Sequence, residues 1–362
     1  MVPELVLAIN PGSTSTKLAV FRGEEKLFGK SLSHTVAELA PFPRVVDQRD
    51  FRFRCILAFL QENSFDPKEL SAVVGRGGLL PPLESGTYEV NDPMLDYLQT
   101  TLTEHASNLG AGLARDVAAI RGVPALIVDP VVVDELADEA RITGIPDIPR
   151  VSIFHALNHK ARARQAASQL GKRYEECNLI VIHLGGGISV GAHRHGRVVD
   201  VNNALNGDGP FAPERAGSLP TWALLEWAHK QQTDMGTLRK KLTGQGGIVA
   251  HLALNDMRKV EELVDQGDAK VTAIYRAMAY NVAKWIGAMA VVLEGQVDAI
   301  VYTGGIAYDR RFVSWIREKT DFLAPALVLP GEDEMTALCQ GALRVLRGEE
   351  PAKEWRITGG NL

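Results

Sequence analysis

The chain has 362 residues, more than one hydrophobic core usually supports, and its 46% hydrophobic content is enough for two, so two domains are expected. A formal net charge of −5, with both signs interspersed, gives no basic field to hold a polyanion and argues against nucleic acid as a partner. Three widely spaced cysteines, Cys55, Cys177 and Cys339, suit neither a disulfide framework nor a zinc knuckle and point to a reducing compartment.

The N-terminus opens directly into the apolar run LVLAIN, without the features of a signal peptide, so a cytoplasmic location is expected. Residues 5 to 10, 18 to 22 and 26 to 32 read as short strands, separated by PGSTSTK and by the turn residues around Gly23. Within AVVGRGGL, a buried strand should enter a Gly-Gly turn beside Arg76. NDPMLDYLQTTLTEHAS reads as a helix capped by Asn91 or Asp92, with Pro93 at the first helical position.

Asp129 follows the strand ALIV, where it can face a cleft or cap the next segment. TGIPDIPR, with Pro146 and Pro149, is the expected inter-domain linker, and ALNHKARARQAASQL the next helix. These signals place a first domain at 1–150, completed by a C-terminal helix at 335–362, and a second at 151–334.

The run NLIVIHLGGGISVGAHRHGRVVDV repeats the opening plan of strand, glycine turn, strand, tight turn and strand, with HRH at an exposed hairpin tip. Without a gap, Asn10, Gly12 and Gly23 fall on His183, Gly185 and Gly196, and AVVGRGGL falls on AIVYTGGI. Both matches argue for two related α/β halves. The apolar stretch from Arg276 to Glu294 contains Asn281 and Lys284 and reads as a core helix, not a membrane span.

Glycine turns bring backbone N–H donors close to an anion, because no Cβ blocks the approach. Each turn alone could be an ordinary hairpin connection; two of them facing one cleft would clamp a polyphosphate. Neither a P-loop nor a dinucleotide fingerprint is present, while TGGIAYD suits a turn on which an adenosine lies flat. Arg76 and Arg215, beside glycines, can bind a carboxylate or phosphoryl group, or sit in surface ion pairs. His155 and His159, four apart, have metal-ligand spacing but neither a glutamate beside them nor a third ligand.

Taken together, LAINPGSTSTKLAVF, VIHLGGGISVGA and TGGIAYD resemble the two phosphate motifs and the adenosine motif of the acetokinase, sugar kinase, Hsp70 and actin superfamily. GRGGLLPPLESGTYEVND, EHASNLGA, FHALNHK and NNALNGDGPFAPERAGSLP resemble the butyrate kinases of the acetokinase family in particular. The resemblance implies an α/β fold of two ribonuclease-H-like domains with mixed sheets and an interdomain nucleotide cleft. It also implies a homodimer or higher homo-oligomer, with ATP or ADP and Mg²⁺ as cofactors and a small carboxylate as substrate.

By that resemblance, Arg76, His159, Arg215 and Asp129 are the candidate catalytic residues. Asn10, Gly12, Ser13, Thr14, His183, Gly185, Gly186, Gly187, Gly304 and Gly305 would contact the nucleotide. Arg76 and His105 would bind the carboxylate. Asn10 and Glu334, the latter chosen from the run Glu332, Asp333 and Glu334, would approach the metal. The implied reaction makes butyryl phosphate by direct in-line transfer; isobutyrate, propionate and acetate are the alternative acceptors. An actin-like or Hsp70-like ATPase is the alternative of another class.

Overall fold

The computed structural model describes residues 4–356. Its contacts divide the chain into one unit formed by Met1–Val133 with Asp333–Leu362 and a second formed by Asp134–Glu332.

In the first unit the continuous apolar run of β1 (Leu5–Gly12) is buried along its length, as expected of a central strand. It pairs antiparallel with β2 (Ser15–Arg22), Gly12 opposite Ser15, across the two-residue turn Ser13–Thr14. β3 (Glu25–Ser33) pairs antiparallel with β2 and carries the exposed residues of an edge strand. On the other side of β1, β4 (Ala72–Arg76) and then β6 (Ala125–Val128) run parallel; β5 (Thr87–Glu89) is antiparallel to β6, and Lys353–Glu354 is parallel to β5. The seven strands form one sheet, ordered from Lys353–Glu354 through β5, β6, β4, β1 and β2 to β3.

The helices Leu109–Ala119 and Glu334–Leu346 pack on opposite faces of this sheet. A Cβ built on Gly75 would lie 2.1 Å from the Gly110 carbonyl oxygen, whereas one on Gly341 would lie 2.4 Å from a Val128 methyl group. Gly75 pairs with Ile127 and Arg76 with Val128, so Gly75 and Val128 point to opposite sides.

The second unit repeats the plan. β7 (Asn178–Leu184), β8 (Ile188–Arg194) and β9 (Arg197–Val201) form an antiparallel meander, and β10 (Ala299–Thr303) and β11 (Ala326–Val328) extend it in parallel from β7. The order β11, β10, β7, β8, β9 matches that of β6, β4, β1, β2, β3. Alternate residues serve the two faces: Ile180 and Ile182 join the core under the long helix Ala269–Val292, while Leu179 and Val181 pack with Ala163, Ala166 and Ala167 of helix Ala156–Gln169. Among the described residues, no helix is long and apolar enough to cross a membrane.

Several boundaries differ from expectation. The proline-containing segment 143–150 lies inside the second unit, not between units, because the stretch from Asp134 onward is bonded into that unit's sheet. Ala137 donates its N–H to the Val199 carbonyl, Arg150 pairs with Asp200, and buried Lys160 meets Glu135 at 2.6 Å. Asn91, not Asp92, caps the helix Asp92–Thr100, which stops before His105. Of the C-terminal helix expected over 335–362, Glu334–Leu346 is helical, a two-residue strand follows at Lys353–Glu354, and 357–362 lie outside the described residues.

Two measurements test this packing. A Cβ on Gly110 would lie 2.1 Å from the Arg76 carbonyl oxygen, a backbone atom with little room to retreat. Gly110→Ala should therefore lower unfolding stability in urea by about 3 kcal/mol.

His159 and His193 are fully buried, and that burial holds their pKa values well below the ordinary histidine range. Below about pH 6.5 the unfolded chain binds protons at these sites that the folded chain refuses, so stability should fall with pH. Each histidine can contribute a slope approaching about 1.4 kcal/mol per pH unit. Urea midpoints at pH 7.5, 6.5 and 5.5 should show it, with a shallower slope in His193→Leu.

Candidate active site

In open α/β sheets the carboxyl ends of the parallel strands are where backbone groups are left for ligands. In the first unit that end gathers Asn10 from β1, Arg76 from β4 and Asp129 just after β6, because Ile9 pairs with Gly75 and Arg76 with Val128. Asn10 is buried; its Nδ2 donates to Glu334 Oε2, and Arg76 Nη1 meets Glu334 Oε1 at 2.7 Å. Glu334 opens the helix Glu334–Leu346, whose N-cap is Asp333.

The three consecutive carboxylates thus have separate tasks. Asp333 accepts from the N–H and hydroxyl of Thr336, Glu334 meets Asn10 and Arg76, and Glu332 lies 3.4 Å from His183 Nε2.

A residue that sequence reasoning missed shapes the first turn. Arg52, fully buried on helix Arg49–Glu62, donates to the carbonyl oxygens of Gly12, Ser13 and Ser15, to Thr16 Oγ1 and to Gln48 Oε1. In a trans peptide the C=O and the following N–H point in opposite directions. Drawing the Gly12 and Ser13 carbonyls toward Arg52 therefore turns the Ser13 and Thr14 N–H groups away from it, at an exposed turn. Burial pushes the Arg52 pKa down to about 10, so the side chain remains a cation at neutral pH.

Asp129 is not a helix cap. It is buried, with a left-handed φ of 38°, and accepts hydrogen bonds from the Ser85 hydroxyl at 2.6 Å and the Gly86 N–H at 2.8 Å. His105, expected on the acyl side, is exposed and caps the short turn Ala106–Asn108, with Nδ1 2.6 Å from Ser107 Oγ.

In the second unit, the corresponding strand ends carry His183 and the turn Gly185–Gly187 after β7, and Gly304 and Gly305 after β10. His183 pairs with Thr303 in register. A Cβ on Gly304 would lie 2.3 Å from the Leu184 carbonyl oxygen, and Gly304 has a φ of 87°, so only glycine fits there. Gly305 has nothing within 4 Å of where a Cβ would stand, so its backbone is open on that side. Next to this turn, a pocket of 770 Å³ is lined by Ala307, Tyr308, Arg310, Val313, Val328 and Pro330, among others.

The guanidinium of Arg215 is laid directly on the glycine turn: a Cβ on Gly187 would lie 1.7 Å from its Nη1. Nη1 donates to the Ala204 carbonyl, while Nε is buried with no hydrogen-bond partner among the described residues. Burial lowers the Arg215 pKa. Gly186 accepts from the Glu214 N–H, which ties the turn to the segment that carries Arg215.

The histidines are arranged differently from expectation. His159 is 0% exposed, so none of its surface faces outward in the described structure. Its neighbour His155, at the N-cap position of the same helix, is half-buried and stacks on His183 with ring centroids 3.8 Å apart and planes 11° from parallel. His183 is buried and its Nδ1 lies 2.9 Å from Asn158 Oδ1. His193, expected at an exposed hairpin tip, is also fully buried, and the turn is made by His195 and Gly196, both with positive φ. Among the described residues no group of three or more His, Cys, Asp or Glu could hold a metal ion, and His155 and His159 share Ser189 as a partner instead.

Comparisons with known proteins agree with this architecture. Residues 148–320 match the model of the acetokinase family. An acetate kinase from Porphyromonas gingivalis superposes with a TM-score of 0.76 at 16% identity, covering 94% of this chain and 99% of its own. A propionate kinase from Francisella tularensis subsp. tularensis SCHU S4 gives 0.74 at 18% identity, covering 93% and 98%. For an acetate kinase from Entamoeba histolytica the values are 0.72 and 17%, again covering 93% and 98%. The chain has the two-domain α/β fold with mixed sheets seen in these kinases, and the acetokinase match falls wholly within its second unit.

Proposed function

We propose that the chain is a kinase that transfers the γ-phosphoryl group of ATP to a short-chain carboxylate, forming an acyl phosphate, and that the acceptor is butyrate. The observation that carries this reading is Arg215: a half-buried guanidinium resting on a glycine turn, with a buried Nε donor left without a partner among the described residues. The acetokinase match over 148–320 and the shared fold support the carboxylate class. Butyrate itself rests on the resemblance of GRGGLLPPLESGTYEVND, EHASNLGA and NNALNGDGPFAPERAGSLP to butyrate kinase segments. On the same basis the enzyme is a homodimer of the cytoplasm.

The acceptor sets the chemical problem. A carboxylic acid is ionised at pH 7, so its attacking oxygen needs no base to remove a proton. The obstacle is repulsion between that anion and the triphosphate, about 4 kcal/mol for two unit charges 4 Å apart at an effective dielectric of 20. Arg76, Arg215 and His155 would offset it and stabilise charge on the transferring group during direct in-line transfer. His155 takes the role first assigned to His159, because it alone of the two has exposed surface.

The outward N–H groups of Ser13 and Thr14 and the turns at Gly185–Gly187 and Gly304–Gly305 would hold nucleotide phosphates and adenosine. Mg²⁺ would arrive with the nucleotide. One carboxylate, Glu334, beside the Asn10 amide suits an ion that keeps phosphate and water ligands. Asp129, locked by Ser85 and Gly86, holds the end of β6 in a fixed conformation.

With MgATP, hydroxylamine and C1 to C6 carboxylates, acyl hydroxamate formation should peak at butyrate. Arg215→Ala should lower turnover by about a hundredfold or more. Gly187→Ala should do nearly as much by displacing that side chain, with little change in stability. A folded, ATP-binding protein that yields no hydroxamate with any acid would overturn the reading. In the same assay His155→Ala should lose turnover and keep its urea midpoint, whereas His159→Ala should lose stability; the reverse pattern would return the role to His159.

A further inference from the structure

Behind His155 lies a chain of buried polar side chains that the proposed chemistry does not itself use. Ser189 Oγ is 2.9 Å from His155 Nδ1 and 2.8 Å from His159 Nε2. His159 Nδ1 is 3.2 Å from His193 Nε2, and His193 Nδ1 is 2.7 Å from the Tyr174 hydroxyl. Ser189, His159 and His193 are 0% exposed and Tyr174 5% exposed. Polar groups of this kind are costly to bury, and here they run as one file from the half-buried His155 into the interior.

The protons in such a file are coupled. His159 and His193 are neutral when folded, so each ring carries one N–H and one bare nitrogen. If His159 donates from Nε2, its bare Nδ1 must accept from His193 Nε2, and the bare Nδ1 of His193 must accept from Tyr174. If it donates from Nδ1, every bond reverses. A phenol is a better donor than acceptor, which favours the sense that begins at Tyr174. The Ser189 hydroxyl, accepting from His159, then donates to His155 Nδ1 and leaves the His155 proton on Nε2, the nitrogen turned away from the file.

We propose that Tyr174, His193, His159 and Ser189 form a positioning relay that fixes His155 as its Nε2–H tautomer, so that it presents a donor and not a lone pair to a phosphoryl oxygen. The tautomer of a functional histidine is commonly set by the partner of its other nitrogen. The relay explains why His159 and His193 are buried at all, when apolar residues would pack there more cheaply. Gly191 has a part in this: a Cβ there would stand 3.3 Å from His159 Nδ1. The effect on turnover rests on the kinase reading above; the tautomer does not.

The first test is therefore spectroscopic. In protein labelled with ¹⁵N-histidine, long-range proton–nitrogen correlation should show His155 with a protonated Nε2 and a bare Nδ1, its signals identified by their loss in His155→Gln. A proton on Nδ1, or an even mixture, would overturn the proposal whatever the activity. Tyr174→Phe removes the terminal donor and should shift His155 toward the mixed state. Turnover should fall by roughly tenfold to a hundredfold, as for other outer partners of functional histidines, with KM for ATP and acid unchanged. An unaltered tautomer and unaltered kcat in that variant would also overturn it. Should Tyr174→Phe fail to fold, Ser189→Ala, which cuts the file next to His155, tests the same tautomer shift.

Discussion

The geometry of the first hairpin depends on one buried cation. Arg52 has no exposed surface, and its described partners are carbonyl, hydroxyl and amide oxygens without formal charge. A charge so placed is tolerable only because its donors are all met, and removing the Gln48 amide oxygen, which accepts from both Nε and Nη2, would leave buried donors unmet. The consequence is a turn whose carbonyls are fixed from below and whose amides are fixed outward. Thr16, bonded to Arg52, also meets His34 Nε2 at 2.8 Å, so the constraint reaches the end of β3.

The second hairpin solves a related problem by another route. Its turn has glycine at three successive positions, and Arg215 lies on the glycine surface instead of holding carbonyls from within. The buried cation of that unit, Lys160, is spent elsewhere, on Glu135 and on the Gly196 carbonyl at the next turn of the meander. Two sheets of the same strand order therefore differ in chemistry at equivalent strand ends: Asn10 with a carboxylate in one, His183 stacked on His155 in the other.

Much of this frame was legible in the sequence, because the signals were local. The offset that maps Asn10 onto His183 and Gly23 onto Gly196 correctly pairs β1 and β2 with β7 and β8, and AVVGRGGL and AIVYTGGI are the equivalent parallel strands β4 and β10. Side-chain partners were less legible, though a signal existed. Arg52 shares a stripe with Ile56, Phe59 and Leu60, and His159 shares one with Ala163, Ala166 and Ala167, each at spacings of four, seven and eight. That period marks a buried helix face, and a charged or polar residue on it is there to be bonded. Neither the ligand spacing of His155 and His159 nor the resemblance that singled out His159 showed that His159 lies on the stripe and His155 at the cap. For 143–150, two prolines suggested a linker, but the bonds of Arg150 to Asp200 and Val201 could not be seen without the sheet.

The first unit is built from two stretches of chain with the whole of the second unit between them. During synthesis, β1 and β4 are made early, yet the helix Glu334–Leu346 that covers one face of their sheet follows only after the whole of the second unit. The second unit, being continuous, can close its core first, as domains made on a ribosome tend to do. The opening strands must then wait, apolar and half-covered, for a partner at the far end of the chain. With this connectivity, one face of the first sheet stays uncovered until the last stretch of the chain has been made.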